Sequence, residues 1–322
     1  MKMTFKVALA LSLSSLLLAS CSSDPSDSAD VETGKLSVVA AFYPIEFVAS
    51  AIGGDLVSIE NMTPPGVEPH DLELTPSQVS RLSEADLLLY VEGFQPALEE
   101  AAIQSPPGES VDLLAIPGLN LLKATEDGHN HSHSHSHSDE EAKDEEDSDE
   151  EMVNDPHFWL DPKRLILVAN SIAKKFSAID SDNAQRYEDN RVAFVAELNS
   201  LDQKYAIGLK TCERRMIVTS HAAFGYLANA YDLEQESIAG LSPDSEPTPK
   251  RLNEISKDAK ADGTTTIFFE ALASPKLAQT LADDLKITAA VLDPLEGISE
   301  GQTYFSVMEN NLAALRTALS CN

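Results

Sequence analysis

From Asn183 to Lys210 apolar residues return at Tyr187, Phe194, Val195, Leu198, Leu201, Tyr205 and Leu209. That is the 3.5 to 3.6 residue period of a helix with one buried stripe. A continuous helix of that length would run ~42 Å at 1.5 Å per residue, enough to cross a two-lobed protein from end to end. Residues 183–210 are therefore read as a rigid connector.

On both sides of the connector, apolar strands alternate with helical segments. Before it, Leu36–Phe42, Leu56–Met62 and Ala85–Val91 read as strands, with Pro44–Ile52 and a segment opened by Thr75-Pro76-Ser77 as helices. Lys163–Phe176 reads as a helix leading into the connector. After it, Met216–Ser220, Gln235–Ala239, Thr266–Glu270 and Thr288–Leu292 read as strands, with Ala222–Ala230, Ser274–Asp284 and Thr303–Ala318 as helices. Strand–helix alternation means parallel sheets covered on both faces. The expected fold is α/β: two lobes of parallel sheet flanked by helices, 35–182 and 211–322, with any site in the cleft between them.

The N-terminus reads as an export signal. Lys2 and Lys6 precede the apolar stretch Val7–Leu18, which is too short for a stable membrane helix, and Leu18-Ala19-Ser20-Cys21 closes it. The last four residues resemble a bacterial lipobox, which implies cleavage after residue 20 and a lipid on Cys21. Residues 21–34, rich in Ser and Asp, read as a tether from the membrane surface. With Cys21 set aside, Cys212 and Cys321 are left, and an even pair in an exported chain suggests a disulfide. A pair of metal-binding thiols is the other reading, disfavoured because neither lies near an imidazole in sequence. Only 23 Lys and Arg stand against 53 acids, a formal charge of -30. Nucleic acid is excluded as a partner on that balance, and cations are favoured.

Residues 128–151 carry His129, His131, His133, His135 and His137 at two-residue spacing, followed by a tract of acids. With no apolar residue but alanine, this segment is expected to be a disordered insertion. Its imidazoles and carboxylates suit borderline divalent metals, so it reads as an auxiliary metal-binding loop.

The three remaining histidines stand at strand-to-loop junctions. His70 ends the proline-stiffened run Thr63–Asp71, and His157 lies in Asn154-Asp155-Pro156-His157-Phe158-Trp159-Leu160-Asp161-Pro162 beside the single tryptophan. His221 follows the strand Met216–Ser220 at its carboxyl end, where open α/β sheets bind ligands. Prolines that fix φ pre-orient a ligand at little entropic cost. Asp293 and Glu270 stand at neighbouring strand ends, each readable as a helix cap, a solvated charge or a ligand carboxylate.

Pro65-Gly66-Val67-Glu68-Pro69-His70-Asp71, the Asp155–Pro162 run, Ser220-His221-Ala222-Ala223-Phe224-Gly225-Tyr226, Gly240–Pro247 and Leu292-Asp293-Pro294-Leu295 together resemble the zinc-uptake solute-binding lipoproteins of ABC transporters. The resemblance runs from the lipobox to the C-terminal helix. It implies a metal held between two lobes and hand-over to a membrane permease driven by an ATPase. Carried over by position, it implies His70, His157, His221 and Asp293 as ligands, with Glu270 orienting an imidazole behind them. A third imidazole at His221, where manganese-binding relatives carry a carboxylate, favours Zn²⁺ over Mn²⁺. The expected protein is a monomer, not an enzyme, anchored outside the cytoplasmic membrane. Manganese or iron uptake is the nearest alternative. A zinc hydrolase would need Glu270 as general base and has no HExxH motif or nucleophile elbow to support it. A surface adhesin using metal for stability is a third reading, on which the residues are silent.

Overall fold

Leu36–Ala40 (β1) is apolar but for Ser37, as suits a strand covered on both faces. In the computed structural model, which describes residues 34–125 and 152–322, it stands inside a four-stranded parallel sheet. The chain continues through α1 (Tyr43–Gly53), β2 (Val57–Asn61), α2 (Pro76–Glu84), β3 (Leu87–Tyr90), α3 (Pro96–Gln104) and β4 (Glu109–Asp112). The sheet order is β2-β1-β3-β4, with Val38 paired to both Ile59 and Leu87. Helix α2 starts where expected because Thr75 and Gln78 form a reciprocal capping box ahead of Pro76.

Two short antiparallel strands follow, β5 (Lys123–Thr125) and β6 (Met152–Asn154), with Lys123 opposite Asn154. They bracket the His/acid-rich run. That run, the leader, Cys21 and the tether up to residue 33 lie outside the described residues. The turn Phe158–Leu160 leads into α4 (Pro162–Ile179), whose N-terminus Asp161 caps by accepting from the Lys163 N–H. Helix α5 (Ala184–Gly208) is the connector, 25 residues long, burying Tyr187, Phe194, Leu198, Leu201 and Tyr205 along one stripe.

The second lobe is built from β7 (Met216–Thr219), α6 (Gly225–Ala230), β8 (Glu234–Ser237), α7 (Pro249–Asp262), β9 (Thr266–Phe269), α8 (Lys276–Leu285), β10 (Thr288–Val291) and α9 (Tyr304–Leu319). Its sheet is also parallel, in the order β10-β9-β7-β8. Helix α6 begins three residues later than its sequence suggests. The Ala222 N–H donates to the Gly240 carbonyl at 2.8 Å, so the chain after β7 is tied to the next loop before it can coil. None of the described helices is long and apolar enough to cross a membrane.

One apolar core runs through both lobes, from Leu36, Val39 and Phe42 through Trp159 and Leu198 to Phe224, Leu292 and Leu315. A smaller cluster around Val218, Ile255 and Ile267 fills the outer side of the second sheet. Cys212, just past α5, is bonded to Cys321 after α9 with an S–S distance of 2.02 Å. The last helix is thereby fixed to the end of the connector.

Candidate metal centre

Each of the three isolated histidines is mounted differently. His70 sits in a one-turn helix, Pro69–Asp71, whose Glu68 side chain accepts from the His70 N–H at 3.5 Å. Its ring meets Phe94 edge-on at 4.4 Å. His157 is gripped by Asp155: one carboxylate oxygen takes both the His157 backbone N–H at 2.9 Å and Nδ1 at 2.8 Å. His221 follows β7 and places Nδ1 2.5 Å from Glu270, which also accepts from the Ser220 hydroxyl. Glu270 thus stands against the His221 ring on the side away from Glu296. With Nδ1–H given to a carboxylate in both cases, the Nε2 lone pair is the one left to face the cleft.

The fourth member of the cluster is Glu296. His70, His157, His221 and Glu296 each present one ligand atom, all within 4.8 Å of one another. Glu296 Oε1 lies 3.1 Å from His157 Nε2, 3.3 Å from His221 Nε2 and 3.6 Å from His70 Nε2.

Asp293, expected in this position, is not in the group. Its Oδ1 accepts the Leu295 N–H at 2.8 Å, while its backbone N–H and carbonyl are clamped by the Asn311 amide of α9. An Asp-Pro pair at a strand end is a turn former, because the carboxylate satisfies a backbone N–H two residues on. Asp293 therefore shapes the turn, Leu295 enters it with φ 59°, and Glu296 is delivered into the cleft. The sequence carried that signal in Asp293-Pro294.

The cluster is nearly dry. His157 and His221 have fully buried side chains, Glu296 is 1% exposed and His70 12%. A cavity of ≈ 610 Å³ lined by His70, Lys123, Asn154, Leu241 and Ser242 opens outward from the His70 side. Burial drives the Glu296 carboxyl upward, but the three imidazoles around it outweigh burial and hold it well below the usual range. Burial likewise pushes His157 and His221 down. Asp155 and Glu296 reverse this for His157, and Glu270 and Glu296 reverse it more strongly for His221, so both end above the ordinary imidazole value. For His70 burial outweighs Glu296 and leaves it lowered. The neighbouring Glu68 carboxyl is pushed up to about 8, first by burial and then by Glu296.

Three imidazoles and one carboxylate around one point are the donor set of a tetrahedral zinc site. The fourth ligand atom of the cluster is a Glu296 carboxylate oxygen. Glu270, the only residue the hydrolase reading could name as a base, is spent on His221 and Ser220.

Comparison with known proteins points the same way. Residues 38–318 match the family model described as zinc-uptake complex component A, periplasmic. The chain is 36% identical over 314 residues to the high-affinity zinc uptake system protein ZnuA of Bacillus subtilis, covering 94% of each. It is 35% identical over 317 residues to the zinc-binding lipoprotein AdcA of Streptococcus pneumoniae, covering 97% of this chain and 60% of that longer relative. In three dimensions it is similar to the Zn(II)-bound ZnuA-like domain of Streptococcus pneumoniae AdcA, with a TM-score of 0.69, 32% identity and coverage of 89% and 99%.

Proposed function

Because the chain belongs to the zinc-uptake complex component A family, we propose that it is the extracytoplasmic receptor of an ABC transporter, capturing Zn²⁺ and delivering it to a membrane permease. The observation that carries this reading is the convergence of His70, His157, His221 and Glu296 from opposite lobes onto one buried point. Zn²⁺ is the cargo. The three imidazoles and the Glu296 carboxylate are its ligands, and Asp155 and Glu270 fix the imidazoles that face it. Three nitrogen donors suit zinc better than manganese, which prefers oxygen.

In this reading the permease works with an ATPase on the cytoplasmic side. Cys21 carries the lipid that keeps the receptor at the membrane, and the receptor acts as a monomer. The domains are a leader (1–20), the tether (21–34), a first lobe (35–182), the connector (183–210) and a second lobe (211–322). The histidines at 129, 131, 133, 135 and 137 act as an auxiliary loop that raises local metal and is not needed to fill the main site.

The test is a competitive zinc titration of residues 35–322 with 128–151 deleted, against the same chain carrying His70→Ala, His157→Ala and His221→Ala. Tight 1:1 binding that survives the deletion and disappears with the three substitutions supports the receptor. Binding that vanishes with the deletion alone defeats it.

A further inference from the structure

His157 and Glu296 make the shortest contact in the cluster, 3.1 Å, and each is held in place by the opposite lobe. Glu296 rides on the turn after β10. That turn is gripped from the first lobe by Trp159, whose indole N–H donates to the Pro294 carbonyl at 2.7 Å. Trp159 is fully buried between Phe42, Phe94 and His157, so its position is set by the first-lobe core. His157 depends in turn on Asp155. The Asp155 carbonyl accepts at 2.8 Å from the hydroxyl of Tyr226 in α6, which itself accepts from the Leu122 N–H at 3.1 Å. Tyr226 is also fully buried. Beside it, Gly225 comes so near that a Cβ there would lie 2.8 Å from Asp155 Oδ2. His221 and His70 are different. Each is oriented from within its own lobe, by Glu270 and by Glu68 with Phe94.

We infer that Trp159 and Tyr226 are cross-lobe positioning residues: each lobe orients the metal ligand contributed by the other, through the pairs Trp159–Pro294 and Tyr226–Asp155. This rests on the zinc-receptor reading. Its consequence is that the site has its geometry only while the lobes are apposed. Drawing the lobes apart releases the Glu296 turn and the His157 ring together, which leaves two ligands from different lobes and no complete tetrahedron. A small opening is then enough to discharge the metal, although the lobes share one core and are tied by α5.

The experiment measures zinc dissociation into excess chelator by stopped flow, with cobalt(II) absorption as the report of coordination geometry. The variants are Trp159→Phe, which keeps an aromatic body and loses the N–H, and Tyr226→Phe, which loses the hydroxyl alone. Tyr205→Phe is the control. It removes an equally buried hydroxyl bond, to the Met308 carbonyl at 2.7 Å between α5 and α9, that touches no ligand or ligand-bearing turn. The expected result is dissociation about 10- to 100-fold faster in Trp159→Phe and Tyr226→Phe, with weakened tetrahedral cobalt bands, and a rate near that of the parent in Tyr205→Phe. Gly225→Ala, which crowds Asp155 without removing a bond, is expected to accelerate release as well and serves if an aromatic variant does not fold. Rates within twofold of the parent in all site variants, or equal acceleration by Tyr205→Phe, would overturn the inference. A parent protein that fails to retain zinc would instead overturn the receptor reading on which it stands.

Discussion

Replacing Glu296 by Gln separates two roles that the structure assigns to one carboxylate. As a ligand, Glu296 supplies the carboxylate that faces the Nε2 atoms of all three imidazoles. Removing one partner of a buried charge pair costs about 3–5 kcal/mol, which at 1.4 kcal/mol per decade is roughly two to four decades of zinc affinity near pH 8. As a neighbour, the same carboxylate raises His157 and His221 above the ordinary imidazole value and so keeps protons on the atoms that must bind metal. In the parent, lowering the pH below those raised values should weaken zinc by about a hundredfold per unit, two protons competing with one ion. In Glu296→Gln the opposition to burial falls to Asp155 and Glu270 alone, so the imidazoles lose their protons at lower pH and the slope sets in later. The gap between parent and variant should therefore be widest at pH 8 and narrow steadily toward pH 6. Calorimetry in buffers of different ionisation heats would show it directly, since the variant should release fewer protons per zinc at pH 7. A gap that stays constant across this range, with equal proton release, would refute the idea that the carboxylate sets the imidazole protonation.

The metal-free protein should show the same electrostatics in its stability. Glu296, depressed, contributes stability that is present above the ordinary carboxylate value near ~4.5 and lost as pH falls through its lowered one. His157 and His221, raised, contribute stability that is complete below ~6.5 and lost as pH climbs through their raised values. His70, lowered, works in the opposite direction and offsets part of this. Thermal melts should therefore place the metal-free optimum between those limits, with Tm falling from pH 6.5 to 9, whereas the zinc-loaded protein should not decline over that range. Glu270→Gln, which weakens the acceptor for His221 Nδ1, should cost about 10- to 100-fold in zinc affinity by competition titration while leaving the fold intact by circular dichroism. Replacing Cys212 and Cys321 by Ser opens a cross-link between residues 109 apart. Its chain-entropy value is about 4–5 kcal/mol, and differential scanning calorimetry should show Tm lower by roughly 10 °C.

How far the sequence carried depended on how local the determining physics was. β1 and β3 are legible as short apolar runs, the α5 stripe through its helical period, and α2 through its Thr75-Pro76 start. Helix α7 and strand β4 were not singled out. Pro249–Asp262 buries only Ile255 and Ala259, and Glu109–Asp112 is a polar edge strand, so neither carries an apolar pattern long enough to see. Their places are set by the sheet they complete. The three histidines were legible as a set because proline and strand-end context marks each of them. Asp293 is the acid that the strand end and the resemblance single out, whereas nothing in the sequence marks Glu296 itself. The structure shows Asp293 bonded to the Leu295 N–H, with Asn311, eighteen residues further on, holding its backbone. That contact, like those of Trp159 with Pro294 and Tyr226 with Asp155, joins segments far apart in the chain and leaves no trace in local spacing. Three members of this cluster could thus be read from the sequence and the fourth could not, and what aims two of them belongs to the packing of one lobe against the other. Exchanging residues at the lobe boundary should therefore change how long the metal stays without altering any residue that touches it.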